Sequence, residues 1–289
     1  MLLPRATGAG QVSRLYVAVS GEAAQVVGAV ALGLDRRRDI GAGWRVDLRV
    51  IVPFRRRGIG RALIEHAVDQ AHQHGIRALD AWAWVEPDSD EARAWISFGF
   101  MSCQRRLEFE ADLRQAHDTL MPLYTKIRDD GWIPRDARII PLAEADLEAV
   151  ADLHVRYLGG NRRLLMPLLR GDGAEPFDLH YSRVLLLDGH VVGFTLGRIL
   201  HNGVCEIDAN VLHPGVRLGW ANLWLKKEAA AMLLSGGIHT IRYFSLQQHT
   251  DTQRVSRQVG GRLVGTTLQM RRELSTARLG HGGEGVAPA

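Results

Sequence analysis

The 289-residue chain is long enough for about two domains at roughly 150 residues each, and 46% apolar with 24% charged residues exclude a disordered, collagen-like or disulfide-scaffold chain. A net charge of +4 is too small for charge alone to imply nucleic-acid binding. Two cysteines, Cys103 and Cys205, lack metal-ligand spacing and suit free thiols in a reducing cytoplasm, and no apolar run approaches the ~20 residues that span a bilayer.

Residues 1–11 contain no apolar core of signal-peptide length and predict no leader. An apolar hairpin follows, with strands over 15–19 and 26–32 turning at Ser20-Gly21. Arg36, Arg37 and Arg38 stand in the next turn as solubilising charge on an exposed edge, and without interleaved aromatics they do not read as a nucleic-acid patch. A third strand alternates Val46, Leu48 and Val50 against Arg45, Asp47 and Arg49, giving one apolar and one polar face. The turn Arg55-Arg56-Arg57-Gly58-Ile59-Gly60 opens a helix that places Ile59, Leu63, Ala67 and Ala71 at helical spacing and stops at Gly75. Beside that glycine, His72 and His74 suit the negative end of the helix dipole better than metal ligation. A strand over 76–84 carries Trp82 and Trp84 and leads to a second helix that holds Trp95 and ends at Gly99. Residues 113–132 predict a polar connector helix with Leu120, Leu123 and Ile127 on one side.

The same order then returns. The stretch from Val50 to Gly60 is echoed from Val211 to Ala221 at an offset of 161, which also carries Asp47 onto Asp208. One residue more carries Gly75-Ile76 onto Gly237-Ile238 and Gly99 onto Gly261, while Val26-Val27-Gly28 reappears as Val191-Val192-Gly193. The second copy has a hairpin over 184–187 and 191–196, a helix over 220–235 and a strand over 238–246. Ahead of them lie a strand over 137–142, a helix ending near Tyr157 and a short apolar helix over 164–170, where the first copy has about a dozen residues. Interleaved strands and helices give an α/β fold class, divided into 13–112, a connector over 113–136 and 137–274, with 275–289 as a loose Gly-, Ala- and Pro-rich tail.

A strand running into glycines at a helix start has a chemical use. Successive backbone N–H groups at a helix N-terminus bind phosphate, and glycine permits close approach. Arg55, Arg56, Arg57 and Arg61 add charge suited to a diphosphate. A Walker A loop would need Gly-Lys-Ser/Thr, and the dinucleotide fingerprint would need a third glycine where Leu63 stands, so neither fits. The pattern Arg-x-x-Gly-x-Gly between strand and helix resembles the motif of the GCN5-related N-acetyltransferase (GNAT) superfamily, and the resemblance covers about residues 13–112 and again 137–274.

That resemblance implies two tandem acyl-CoA N-acyltransferase domains, each a mixed central sheet flanked by helices, the first lacking its N-terminal strand and helices. It implies acetyl-CoA as the acyl donor and no metal. The diphosphate would lie on Arg55, Arg56, Arg57, Gly58, Ile59, Gly60 and Arg61, and the pantetheine along main-chain groups of Leu48, Val50 and Val52, which also polarise the thioester carbonyl. Direct transfer to a primary amine in a ternary complex needs a general base. Asp47 is the first candidate and Glu86 the second; Asp47 also reads as an ion-pair partner of Arg45 or Arg49, and Glu86 as a solvated loop carboxylate. The family's tyrosine, which protonates the departing thiolate, falls on Trp95, and its asparagine on Asp88. Trp95 has one N–H to donate and reads also as a core residue.

In the second copy Val216 replaces the first arginine of the motif, Gly215 replaces Phe54 and Arg257 stands for Trp95, so the better acyl-CoA cradle is expected in the first copy. The acceptor wall missing there would come from the second copy or from a partner subunit in a homodimer, or else Met1 lies inside a longer natural chain. Neither cysteine has a sequence-identified activating base, which favours direct attack over an acyl-enzyme. The expected protein is a cytoplasmic N-acetyltransferase whose partners are acyl-CoA and an amine, not membrane or nucleic acid. The alternative is an acyl-CoA-binding or scaffold protein that keeps the fold without turnover.

Overall fold

The computed structural model describes residues 11–21, 24–34, 43–173, 175–216 and 219–274. The supposed leaderless start over 1–10, the Arg36, Arg37 and Arg38 turn and the expected tail over 275–289 lie outside the described residues. The strands are β1 Gln11–Ser20, β2 Gln25–Leu34, β3 Gly43–Val50, β4 Ala78–Ala81, β5 Met101–Asp112, β6 Arg138–Pro141, β7 Arg183–Leu187, β8 His190–Ile199, β9 Val204–Leu212, β10 Thr240–Leu246 and β11 Arg262–Glu273. The helices are α1 Ile59–Gln73, α2 Asp90–Ser97, α3 Leu113–Asp129, α4 Leu147–Leu158, α5 Arg162–Leu169, α6 Trp220–Ser235 and α7 Thr250–Gln258. Among the described residues, an N-terminal unit gathers 11–104 with 268–274, and a C-terminal unit gathers 105–267.

In the N-terminal unit the strand order is β1-β2-β3-β4-β11, with β3 and β4 parallel and the other pairs antiparallel. Helix α1 buries Leu63, Ile64, Ala67, Val68 and Ala71 against Val30, Leu32, Val46 and Leu79 on one face of this sheet. Its approach is close at Gly28 of β2, where a Cβ would meet Ile59 Cγ2 and Leu63 Cδ1 at 3.1 Å. Ser89 caps α2 by accepting the Ala92 N–H at 3.1 Å, and α2 adds Ala92 and Trp95 to the same core. Tyr16 and Ala18 of β1 pack on that core, while Leu15, Val17 and Val19 alternate to the opposite face and stay exposed.

In the C-terminal unit the order is β5-β10-β9-β8-β7-β6, with β9 and β10 parallel and the rest antiparallel. This unit has elements without a counterpart among the described residues of the first repeat: β6, then α4, started by Asp146 accepting the N–H groups of Glu148 and Ala149, then α5. Val150, Ala151, Leu153, Leu165 and Leu169 from these helices cover Phe194, Leu196, Ala209 and Val211 on one face. On the other face α6 sets Leu225 on Leu185, and Ala230 with Leu233 on Cys205 and Leu113. The expected connector is α3, and its Ala116 and Leu120 join Leu223 of α6 and Val255 and Val259 in a small apolar cluster.

Each repeat is followed in sequence by a twelve-residue strand that pairs with a strand of the other repeat. β5, following the first repeat, lies antiparallel to β10 from Arg106 to Asp112, and β11, following the second, lies antiparallel to β4 from Arg271 to Glu273. The fold is thus α/β and built from a tandem repeat, with exchanged last strands. No described helix is long and apolar enough to cross a membrane.

Candidate functional site

Strand β3 forks away from β4. The two run parallel from the Gly43/Ala78 pair to the Val46/Ala81 pair, closed by Trp82 N–H donating to the Val46 carbonyl at 2.8 Å. Beyond Val46, β3 continues to Val50 paired only with β2, on its other edge. This is why the strand expected over 76–84 is regular only as Ala78–Ala81: past the fork it has lost its partner. The Val46 carbonyl faces β4, so strand alternation turns the backbone groups of Leu48 and Val50 into the fork as well.

At the open end a single 3-10 turn over Val52–Phe54 leads into the glycine turn and α1. Arg56 at φ 59° and Gly58 at φ 82° are both left-handed, which turns nearby N–H groups toward one concavity. Gly58 is the N-cap of α1, no side chain caps this helix, and no acidic residue stands in its first turn. The first helical N–H bonded back into the turn is that of Ala62, to the Gly58 carbonyl at 3.0 Å, so those of Ile59, Gly60 and Arg61 are free of helical acceptors. Nothing lies within 4 Å of where a Gly58 Cβ would project, whereas a Cβ on Gly60 would meet Phe98 at 3.2 Å and Leu48 at 3.5 Å. One glycine keeps space open and the other lets the helix sit close to the fork.

The arginines around this concavity are exposed and differently tethered. Arg55 Nε donates to the Val50 carbonyl at 3.0 Å, Arg61 Nη2 to the Ser97 carbonyl at 3.0 Å, and the Arg57 guanidinium lies 5.2 Å from the Phe54 ring centroid. Arg56 helps, after Arg93, to hold the Asp90 carboxyl below its usual range. N–H groups free of helical acceptors, an open glycine, three guanidinium groups on the turn and a fourth in the first turn of α1 are chemically fitted to a diphosphate. Exposed Val52 begins the turn.

Asp47 is the first β3 residue past the fork, and its carboxylate is 3.2 Å from Arg49 Nε, with 28% of the side chain exposed. Arg45, the other expected partner, is buried and donates to the Ala81 carbonyl and Gln269 Oε1, both at 2.9 Å. Glu86 is exposed in the loop before α2, its carbonyl accepting from the Ser89 hydroxyl at 2.7 Å. Trp95 is 6% exposed and packs edge-on against Phe100 at 4.7 Å and Phe98 at 6.3 Å. Its indole is therefore a core group, placed there because α2 turns Ala92 and Trp95 to one side.

The C-terminal unit repeats the fork: β9 pairs with β10 only as far as Ile207/Tyr243, and Asp208 is the first residue beyond. Here the register with β8 slips, so Asp208 is an extra residue of β9 between the Leu196/Ala209 and Gly197/Ile207 pairs, a bulge that the N-terminal β3 lacks. Arg198, unmarked in the sequence reading, holds Asp208 at 2.8 Å, Glu175 at 3.1 Å and Glu206 at 3.5 Å. Burial pushes the Glu206 carboxyl above its usual range. Nothing in the pattern of β8 marks it, since Arg198 falls at the same parity as buried Phe194 and Leu196. Gly219 starts α6 without a side-chain cap, as Gly58 starts α1, while Arg217 and Leu218 lie outside the described residues. Among the described residues no group of three or more His, Cys, Asp or Glu side chains is placed to hold a metal.

Residues 7–100 match the model of the acetyltransferase (GNAT) family. No curated protein sequence matches the chain. Among solved structures, a tandem GNAT protein from the clavulanic acid biosynthesis pathway is similar at 22% identity and a TM-score of 0.60, over 93% of this chain and 85% of that one. A GCN5-related N-acetyltransferase from Sphaerobacter thermophilus is similar at 16% identity and 0.59, over 90% of this chain and 80% of that one. Another from Anabaena variabilis gives 13% identity and 0.59, over 90% and 63%.

Proposed function

From a chain whose residues 7–100 match the acetyltransferase (GNAT) family and whose fold is similar to that of a tandem GNAT protein, we propose an acyl-CoA-dependent N-acyltransferase of the GCN5-related superfamily that passes an acetyl group from acetyl-CoA to a primary amine. The observation that carries this reading is the uncapped start of α1 at Gly58, set at the mouth of the β3/β4 fork.

In this reading the N–H groups of Ile59, Gly60 and Arg61 and the surrounding arginines bind the diphosphate, which orients the acyl arm along Leu48 and Val50. Their fork-facing backbone groups hold the arm, and an N–H donor there stabilises charge developing on the thioester oxygen. Asp47 takes the proton from the attacking amine, directly or through water, with Arg49 orienting its carboxylate. The carbon–nitrogen bond forms as the carbon–sulfur bond breaks, and the thiolate leaves to solvent, since Trp95 is buried in the core.

Calorimetric titration with acetyl-CoA tests the donor site. Wild-type protein and Gly219→Glu are expected to bind, and Gly58→Glu, with a carboxylate in the cradle, to lose binding. Absence of wild-type binding overturns the acetyl-CoA reading, and loss only in Gly219→Glu moves the site to the C-terminal unit. The burial of Trp95 favours a second reading, acyl-CoA binding without turnover; amine-dependent release of CoA thiol separates the two, since only the enzyme produces it.

A further inference from the structure

The face of the N-terminal sheet that carries Asp47 turns apolar toward its β1 edge. Directly opposite residues of antiparallel neighbours share a face, so the register sets Leu15, Ala31 and Asp47 in one transverse row across β1, β2 and β3, and Val17, Ala29 and Arg49 in the next. Beyond these rows Val19 lies opposite Val26. Leu15 is 51% exposed, Val17 50%, Val19 57% and Val26 52%, while Tyr16 and Ala18 of the same strand pack on the core of the other face. With strands about 4.8 Å apart, the first row runs about 10 Å from Asp47 to Leu15.

The second repeat builds the same face as a closed core. There Val184 lies opposite Phe194 and Leu186 opposite Val191, as Val17 lies opposite Ala29 and Val19 opposite Val26. Phe194 and Leu196 fill that face, α4 and α5 cover it, and Val184 is fully buried. The offset of 165 that carries Val26 onto Val191 carries Ala29 onto Phe194 and Ala31 onto Leu196. Large core side chains have thus become methyl groups, and β2 forms the floor of a shallow trough between the longer side chains of β1 and β3. The trough begins at the carboxylate proposed to take the proton of the attacking amine, so it lies where the body of that amine must rest.

Charge narrows the acceptor further. Asp47 is the single carboxylate on β1, β2 and β3, and Arg49 in the next row is 68% exposed. One ammonium finds a counter-ion at Asp47, whereas a second along the trough meets hydrocarbon or a guanidinium.

We propose that this trough is the acceptor subsite, and that the amine acetylated is a monoamine with an unbranched hydrocarbon body of roughly eight carbons, the length of the row from Asp47 to Leu15. Its ammonium gives one proton to Asp47. The neutral nitrogen bonds the acetyl carbon as the carbon–sulfur bond breaks with its electron pair going to sulfur, and the second proton shed by nitrogen ends on the CoA thiolate. This rests on the reading that acetyl-CoA is the donor and Asp47 the base.

The test is the rate of CoA thiol release with propylamine, octylamine, 1,8-diaminooctane and spermidine. With about half of each methylene covered by the trough, kcat/KM is expected to rise about two-fold per carbon, about 30-fold from propylamine to octylamine. Ala29→Phe, which installs the residue of the second repeat, should shrink that ratio at least five-fold. Leu15→Asp places a second carboxylate at the far end of the row and should reverse the preference between octylamine and 1,8-diaminooctane, a gain that a merely structural role would not produce. Equal rates along the amine series, a wild-type preference for spermidine, or a ratio unmoved in Leu15→Asp overturns the proposal. So does a dimer in sedimentation that Leu15→Asp dissociates without changing amine preference, since the face would then belong to a second copy. Calorimetry with acetyl-CoA and with octylamine separates the two readings. Acetyl-CoA binding with no preference along the series overturns this inference alone, octylamine binding that Ala29→Phe weakens without any acetyl-CoA binding overturns the donor reading alone, and binding of neither overturns both.

Discussion

Asp80 and Arg271 face each other across β4 and β11, with Oδ1 2.8 Å from Nε and Oδ2 3.0 Å from Nη2, and the repeat makes the same pair with its charges exchanged. In the C-terminal unit Arg242 takes the place of Asp80, and Glu110 takes that of Arg271, at 2.6 Å. The inversion extends one strand further, because Arg45 lies opposite Asp80 and Glu206 opposite Arg242. Two homologous sheets could in principle take either last strand. Had β5 stayed with its own repeat, Glu110 would face Asp80, and had β11 done so, Arg271 would face Arg242. The charges thus select the exchanged pairing by penalising the other.

Reversing one partner should expose this selection. Arg271→Asp places a second carboxylate beside nearly buried Asp80 and is expected to cost about 3 kcal/mol, the scale for breaking a buried pair. Asp80→Arg combined with Arg271→Asp should recover much of that loss. Urea unfolding followed on both single variants and the double variant measures the coupling; additive losses would show that the pair does not select the strand.

The two motif glycines should fail differently. Gly58 is at φ 82° with open space around a Cβ, so Gly58→Ala should cost about 1 kcal/mol through backbone strain alone. Gly60→Val meets Phe98 and Leu48 instead and should cost about 1–3 kcal/mol by overpacking, pushing α1 off the fork. Thermal unfolding gives both values, and acetyl-CoA titration gives the accompanying change in affinity.

The glycine turn at the start of α1 was legible in the sequence because its parts are local: Gly58, Gly60 and the arginines fall within seven residues between an alternating strand and a periodic helix. The repeat made the same assignment twice, and α6 begins and ends where its pattern placed it. The last strands were harder. Leu107, Phe109 and Ala111 alternate with Arg106, Glu108 and Glu110 as a strand should, yet which sheet they join depends on partners more than a hundred residues away. The fork and the Asp208 bulge were hidden for another reason, since both are set by where a neighbouring strand stops pairing. Asp47 and Asp208 could be matched by spacing, but their arginine partners differ: Arg49 is two residues along the same strand, and Arg198 comes from another.

The cysteines should separate cleanly in a thiol titration. Burial pushes the Cys205 thiol up to about 12, while Cys103 is raised less, by burial and then by Asp80. At pH 8 a thiol reagent should label Cys103 slowly in the native protein and leave Cys205 untouched until unfolding. Because the folded-state value of Cys205 lies above the unfolded one of about 8.5, its contribution to stability is complete below that pH and declines as pH rises toward 12. Fast native labelling of Cys205 would contradict its burial.

Asp47 and Asp208 offer the sharpest test of which repeat performs chemistry. Both are first past their fork, but Asp47 shares its charge with one exposed arginine, whereas Asp208 is bound to an Arg198 that also serves Glu175 and Glu206. A base must be free to take a proton, which favours Asp47. Asp47→Asn keeps the shape and removes the base, so kcat for amine acetylation should fall about 10²–10⁴-fold, with acetyl-CoA affinity unchanged. Asp208→Asn should leave kcat within a few-fold and instead weaken the grip on Arg198, lowering thermal stability of the C-terminal unit. Steady-state kinetics with calorimetric acetyl-CoA binding on both variants decides the matter: a collapse of kcat only in Asp208→Asn would assign the base to the second repeat and leave Asp47 as the ion-pair partner of Arg49.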